Sequence, residues 1–183
     1  MLGPRTTVVH ATVNPHLTLL GSTGTRVCFC PTTERDLADG IGPARLLKDH
    51  GSPLCLGSDQ NAVVDLLEEA RALEMHERLF TLQRGGSRRP SLVDALTVDG
   101  HSSLGWPEAG RLEVGAVADL VEVDLHSVRT AGTVAAQAVY AATASDVRTV
   151  VNAGRVVVRD GEHVLGDVAS LLRQAIEPIW RDA

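Results

Sequence analysis

Aromatic side chains are scarce, with Phe, Trp and Tyr together making up 3% of the 183 residues. A core must therefore be built from Val, Leu and Ala, which suits aliphatic strands covered by Ala/Leu helices. It does not suit a platform on which bases stack. Clustered cations are also lacking: the net charge is -6, and the one basic segment, Arg84 to Arg89 around two glycines, reads as a solvated loop. A polyanion partner is excluded on this ground, since phosphate neutralisation needs grouped Lys and Arg. No apolar run approaches the ~20 residues that span a bilayer, and Met1-Leu-Gly-Pro-Arg5 has no signal-peptide core. A cytoplasmic protein without a membrane partner is expected. Cysteine is sparse too, with Cys28, Cys30 and Cys55 forming an odd set without framework spacing. Each lies in an apolar run and reads as a reduced core thiol. Zinc binding by the trio would need Cys28 and Cys30 to face the same way, and no fourth ligand is near in sequence.

What is present is ordinary for a globular chain, 44% hydrophobic and 22% charged, enough for one domain or parts of two. Strand and helix signals alternate over residues 1–106. Thr6–Val9 is a short β-branched run, followed by a brief helix from Leu17 that Gly21 and Gly24 close. Arg26–Cys30 is a second strand, stopped by Pro31. Leu37–His50 reads as one helix or two, broken near Gly40-Ile-Gly-Pro43. Leu54–Leu56 is a third strand, and residues 62–82 keep helical spacing with a Glu74–Arg78 pair at i,i+4. That order implies a parallel sheet. Residues 90–97 form a further short helix, and the pattern then turns to β at Gly110–Gly115, Ala118–Asp124 and the hairpin signal Asn152-Ala-Gly154. The Ala-rich stretch at 135–144 reads as helix, and an amphipathic helix is expected over residues 167–180. A boundary is placed at Trp106-Pro107, giving units 1–106 and 107–183.

Polar residues gather where the early strands stop: His10-Ala-Thr12, then Pro31-Thr-Thr-Glu34, then Ser58-Asp-Gln-Asn61. In parallel α/β folds, ligands and catalytic groups collect beyond the carboxyl ends of strands. The stops lie 20 and 29 residues apart (10 to 30, 30 to 59), which fits the roughly 31 residues per unit of a (β/α)8 barrel. His10 and Asp59 would then share one rim. Each has a plainer reading: His10 as a hydrogen-bonded turn residue, Asp59 as an N-cap three residues before its helix. Glu34 reads as a helix-start carboxylate, His101 as a packing residue, and His16, His50, His76, His126 and His163 as surface residues.

The segments Val9-His10-Ala-Thr12, Cys30-Pro-Thr-Thr-Glu34, Leu56-Gly-Ser-Asp59 and Leu67-Glu-Glu-Ala-Arg71 together resemble the formimidoylglutamate deiminase branch of the amidohydrolase superfamily. Ala95–Gly105 and Gly110–Leu120 resemble the superfamily's passage from barrel to small β domain. The resemblance implies the C-terminal part of a (β/α)8 metal-dependent hydrolase barrel, its last three strand–helix units, followed by a small β-rich domain. It implies deimination of N-formimidoyl-L-glutamate to N-formyl-L-glutamate and ammonia in histidine degradation, with Zn2+ or another divalent metal as cofactor. Asp59 matches the metal-binding aspartate that also moves the proton, and His10 the histidine that contacts the hydrolytic water or the substrate. The partners implied are a small-molecule substrate and, for a full-length form, a second copy in a homodimer.

Departures accompany the match. Val13-Asn-Pro15 follows His-Ala-Thr where the branch usually has another His, and Asn61 stands where close relatives often carry His. The superfamily's His-x-His pair is missing from the chain, and three strand–helix units cannot close an eight-stranded barrel. The expectation is a partial enzyme, inactive by itself, with Met1 an internal or misassigned start or the product of a split gene. Two other readings stay open: an imidazolonepropionase-like or chlorohydrolase-like amidohydrolase, and a non-catalytic remnant that needs a partner chain.

Overall fold

The computed structural model describes residues 1–13, 15–61, 63–84 and 89–181, with 89–91 as backbone only. Most of the Arg84–Arg89 segment, the Asn14 departure and the expected helix start at residue 62 lie outside the described residues.

Three short strands, β1 (Thr7–Val9), β2 (Arg26–Phe29) and β3 (Leu54–Leu56), form a parallel sheet in sequence order. Val8 aligns with Val27, and Phe29 with Leu56. Because strand side chains alternate between faces, Val8, Val27, Phe29, Leu54 and Leu56 share one face. That face packs on Leu20 of α1 (Leu17–Ser22), Leu47 of α3 (Ala44–Asp49), Leu73 of α4 (Leu66–Thr81) and Leu92 of α5 (Arg89–Leu96). The opposite face carries Val9, half exposed, with Cys28 beside Cys55.

The helix expected over Leu37–His50 is confined to α3, residues 37–43 being non-helical, and another helix begins before it. Pro31 does not merely stop β2; it is the first residue of α2 (Pro31–Asp36). Its fixed φ suits the first helical turn, where a missing N–H costs nothing. The Glu34 carboxylate closes that turn by accepting the Cys30 N–H at 2.8 Å. Helix α4 starts later than expected, at Leu66, because Asp65 caps it by accepting the N–H groups of Leu67 and Glu68. The cap reading of Asp59 is thereby overturned. The expected Glu74–Arg78 pair is present at 2.7 Å.

Beyond α6 (Val98–Ser103) the chain builds a four-stranded antiparallel sheet, β4 (Leu120–Val123), β5 (Val147–Asn152), β6 (Arg155–Arg159) and β7 (Glu162–His163). Ala153 and Gly154 turn the β5–β6 hairpin with φ of 46° and 78°, the twist that two-residue hairpins require. No strand forms at residues 110–115. Gly110, at φ 79°, lies so close to the Thr97 carbonyl carbon that a Cβ there would sit 2.7 Å away. This close approach fixes a turn in place of extended chain. The Ala-rich stretch folds as a 3-10 turn (Ala135–Gln137) running into α7 (Ala138–Ala141). The last helix, α8 (Val168–Arg181), keeps Leu171, Leu172, Ile179 and Trp180 exposed. No helix among the described residues is long and apolar enough to cross a membrane.

Three side chains join the helices that frame the strand ends. Glu69 of α4 accepts both the N–H and the hydroxyl of Thr32 at the start of α2, at 3.0 and 2.5 Å. Arg71 donates to the carbonyls of Tyr140 and Ala142 at 3.0 and 3.1 Å, and to Glu68. The second Asp65 oxygen accepts the Ala144 N–H at 2.8 Å. The Cys-Pro-Thr-Thr-Glu and Leu-Glu-Glu-Ala-Arg segments are thus parts of one framework.

Candidate active site at the strand ends

The chain leaves β1 through two consecutive left-handed residues, His10 (φ 69°) and Ala11 (φ 52°), and leaves β3 through Asp59 (φ 40°) and Asn61 (φ 58°). Non-glycine residues rarely occupy this region, and such strain gathers where function needs it. Ladder bonds hold both turns: the His10 N–H donates to the Cys28 carbonyl at 2.8 Å, and the Gly57 N–H to the Phe29 carbonyl at 3.0 Å. Both loops therefore bend over the end of β2.

That bend brings His10 and Asp59 to the same rim. Nε2 of His10 lies 3.6 Å from Oδ2 of Asp59, while Nδ1 lies 3.3 Å from Oε1 of Glu34. The His10 and Asp59 side chains are 33% and 42% exposed, so solvent and solutes reach them; Glu34, at 4%, is closed off. Burial pushes the Glu34 carboxyl above its usual range, opposed by its hydrogen bonds from Cys30 and His10. Around the pair, the Gln60 amide donates to Asp36 at 2.6 Å, the Ser58 hydroxyl to Asn61 at 2.9 Å, and the Thr33 hydroxyl to the Ser58 carbonyl at 3.3 Å. Glu34 is the site residue whose contact the sequence reading misses. It does stand at a helix start, and it also touches His10, 24 positions away.

The remaining histidines stay apart from this rim. His16, His50 and His126 are exposed, as expected, whereas His76 and His163 are half-buried. Burial pushes the His76 imidazole below its usual range. His101 packs as expected: Nδ1 lies 2.9 Å from the Thr97 carbonyl and Nε2 3.5 Å from Asp119. Cys28, Cys30 and Cys55 are free thiols.

An apolar cavity of about 540 Å³ lies between α4, α5 and the antiparallel sheet, lined by Leu67, Leu96, Val121, Val139 and Val150 among others. Of its lining residues only Asp65 is ionisable, and that carboxylate is already committed as a cap. The titratable groups are at the rim, and so is the candidate chemistry. Metal binding tests the rim further. Among the described residues no three His, Cys, Asp or Glu side chains come together to hold an ion. Asp59 and His10 are two donors, short of the three protein ligands that catalytic zinc sites normally use. They do not enclose such an ion by themselves.

Residues 3–157 match the Amidohydrolase family. The chain is 34% identical over 162 residues to a 5-methylthioadenosine/S-adenosylhomocysteine deaminase of Natronomonas pharaonis, covering 86% of this chain and 37% of that protein. It is also 34% identical over 169 residues to formimidoylglutamate deiminase of Pseudomonas aeruginosa, covering 85% and 37%. Among solved structures, a zinc-bound adenosine deaminase from Xanthomonas campestris superposes with a TM-score of 0.88 at 29% identity, over 99% of this chain and 43% of that one. Atrazine chlorohydrolase from Arthrobacter aurescens, at 23% identity and a TM-score of 0.83, shares the fold. The chain spans roughly two fifths of the length of the curated relatives it matches. With residues 3–157 matched by the family and 99% of its length superposing on a solved deaminase, this chain belongs to the amidohydrolase family.

Proposed function

We propose that the chain supplies the rim carboxylate and imidazole of a hydrolytic deaminase built on a (β/α)8 barrel, of which β1–β3 and their helices are one part. The observation that carries the reading is the approach of His10 Nε2 to Asp59 Oδ2, 3.6 Å apart and open to solvent. A carboxylate and an imidazole so placed can take a proton from an attacking water and return it to a leaving nitrogen. The carbon attacked is of the amidine type, bonded to two nitrogens and short of electrons. Water adds to it, the C–N bond to the released nitrogen breaks, and ammonia leaves as a carbonyl forms. The imidazole side chain also steadies charge that develops on the attacked group.

The substrate favoured is N-formimidoyl-L-glutamate, giving N-formyl-L-glutamate and ammonia. The Cys30-Pro-Thr-Thr-Glu34 segment and the 34% identity to the Pseudomonas aeruginosa deiminase support it. A second reading is deamination of an adenosine derivative, supported by the names of several relatives. The two share one chemistry, because adenine C6 is also an amidine carbon. A cation clamp for the glutamate carboxylates would be needed in the first reading.

The test is ammonia release from N-formimidoyl-L-glutamate, 5-methylthioadenosine and S-adenosylhomocysteine. It is run on the 183-residue chain, alone and with an added polypeptide that supplies the other strand–helix units of such a barrel. Turnover of the first substrate supports the deiminase reading, and turnover of a nucleoside alone supports the second. No ammonia from any of them under either condition sinks both.

A further inference from the structure

We propose that Glu34 is a positioning residue for His10, holding the imidazole in the tautomer that carries its proton on Nδ1 and turns the Nε2 lone pair toward Asp59. The inference deepens the proposed chemistry and rests on it for its meaning in turnover, while its geometry stands in this chain alone. Oε1 of Glu34 accepts the Cys30 N–H at 2.8 Å. The same oxygen lies 3.3 Å from His10 Nδ1. In its ionised form Glu34 has no proton to give and can only accept at this oxygen. Nδ1 must then be the donor, and this contact decides which ring nitrogen carries the proton.

The surroundings keep the arrangement in place. Glu34 is almost wholly buried and anchored at the first turn of α2, which Thr32 ties to Glu69. His10 is fixed from the other side by its N–H bond to Cys28. A carboxylate needed only to start α2 would be complete with the Cys30 bond. The contact with His10 goes beyond that role. Its consequence is local: with the proton on Nδ1, Nε2 and Asp59 Oδ2 are two acceptors 3.6 Å apart, and a donor such as water or a substrate N–H fits between them. An imidazole with its proton on Nε2 would instead spend that proton on Asp59.

Histidine-ring 1H–15N correlation spectra of the 15N-labelled chain test this, recorded at a pH where the ring is neutral. Wild-type His10 is expected as the Nδ1–H tautomer. Glu34→Ala is expected to revert it to the Nε2–H form that free histidine prefers in water. Glu34→Gln, whose amide oxygen can accept both N–H groups, keeps the Nδ1–H form. Nε2–H in the wild type overturns the proposal, and so does Nδ1–H persisting in a folded Ala variant. Should the Ala variant fail to fold, the wild type and Glu34→Gln decide: Nδ1–H in both upholds it, Nε2–H in either overturns it. A chain that proves to have no deaminase activity leaves these spectra unchanged, so the two readings fail separately.

Discussion

Thr32 gives both its backbone N–H and its hydroxyl to the two oxygens of Glu69, across 37 residues of sequence, and none of the groups involved is open to solvent. This pairing joins the helix that follows β2 to the helix that follows β3, the two elements from which Glu34 and the Asp59 loop depart. Burial pushes the Glu69 carboxyl above its usual range, while both bonds from Thr32 oppose the shift. Thr32→Val removes the hydroxyl and leaves a buried carboxyl oxygen unpaired. The expected loss is about 1–3 kcal/mol, read from the urea midpoint and slope. Glu69→Gln turns one acceptor into a donor facing Thr32 and is expected to cost about as much. Unchanged midpoints in both variants would mean that the helices are held together elsewhere.

How far the sequence foretold this arrangement differs from residue to residue. The three parallel strands are legible because each is a short aliphatic run cut off by His10, Pro31 or Gly57, and the β5–β6 hairpin because Asn-Ala-Gly allows only a tight turn. The start of α2 is not legible, since proline ends a strand and begins a helix equally well; the return bond from Glu34 decides it. Asp59 reads as a cap only while α4 is taken to begin too early, and Asp65 corrects that. The rim pair itself could be anticipated from strand-end spacing. The Glu34–His10 contact could not, because residues 24 apart meet only through the register of β1 on β2. Gly110–Gly115 alternates like a strand, but its first glycine is pressed against Thr97 and turns instead.

Acid stability should depend on Arg129 and Asp146. The guanidinium makes two bonds to the Asp146 carboxylate at 3.0 and 2.8 Å, and Thr143 adds an N–H at 2.9 Å. The Arg129 bonds foremost hold this carboxyl far below the usual range. A depressed folded-state pKa contributes stability that is present above the unfolded aspartate range, near pH 4, and is lost as pH falls toward the lower folded value. Arg129→Met removes that contribution. Urea midpoints measured from pH 7 to pH 3 should show the variant less stable at pH 7 and converging on the wild type as pH falls. A gap that stays constant or widens toward acid would show that the pair does not set the acid limb.

Asp59→Asn separates a chemical role from a structural one. The side chain caps no helix, is 42% exposed, and has His10 as its ion-pair partner. Folding should therefore be nearly indifferent, with a midpoint within about 0.5 kcal/mol of wild type. Turnover, in whichever preparation releases ammonia, should fall by about 10²–10⁴, the usual contribution of a positioned acid–base group. His10→Asn should lose activity in the same range. Near-normal turnover in Asp59→Asn would leave this carboxylate without a chemical task.

The 183-residue chain by itself should bind zinc well below one ion per chain. The ground is the count of donors. The rim offers Asp59 and His10 as donors, the buried Glu34 being turned to the far ring nitrogen of His10. Among the described residues no three His, Cys, Asp or Glu side chains are placed to hold an ion, whereas a catalytic zinc site normally has three protein ligands and a water. Pairing of two identical chains does not repair this easily, because each copy brings the same two donors and the chain contains no His-x-His. The thiols serve as a separate control, since Cys28 and Cys55 are register partners on β2 and β3, with Cys55 buried. Equilibrium dialysis of the purified chain distinguishes the cases when wild type, Asp59→Asn and Cys28→Ser are run together. Weak binding indifferent to Asp59→Asn is the expected result. A fall confined to Cys28→Ser assigns the bound ion to the thiols. Near-stoichiometric zinc that Asp59→Asn abolishes would mean that this chain completes a metal site at the rim, and that proton handling alone is too small a role for the pair.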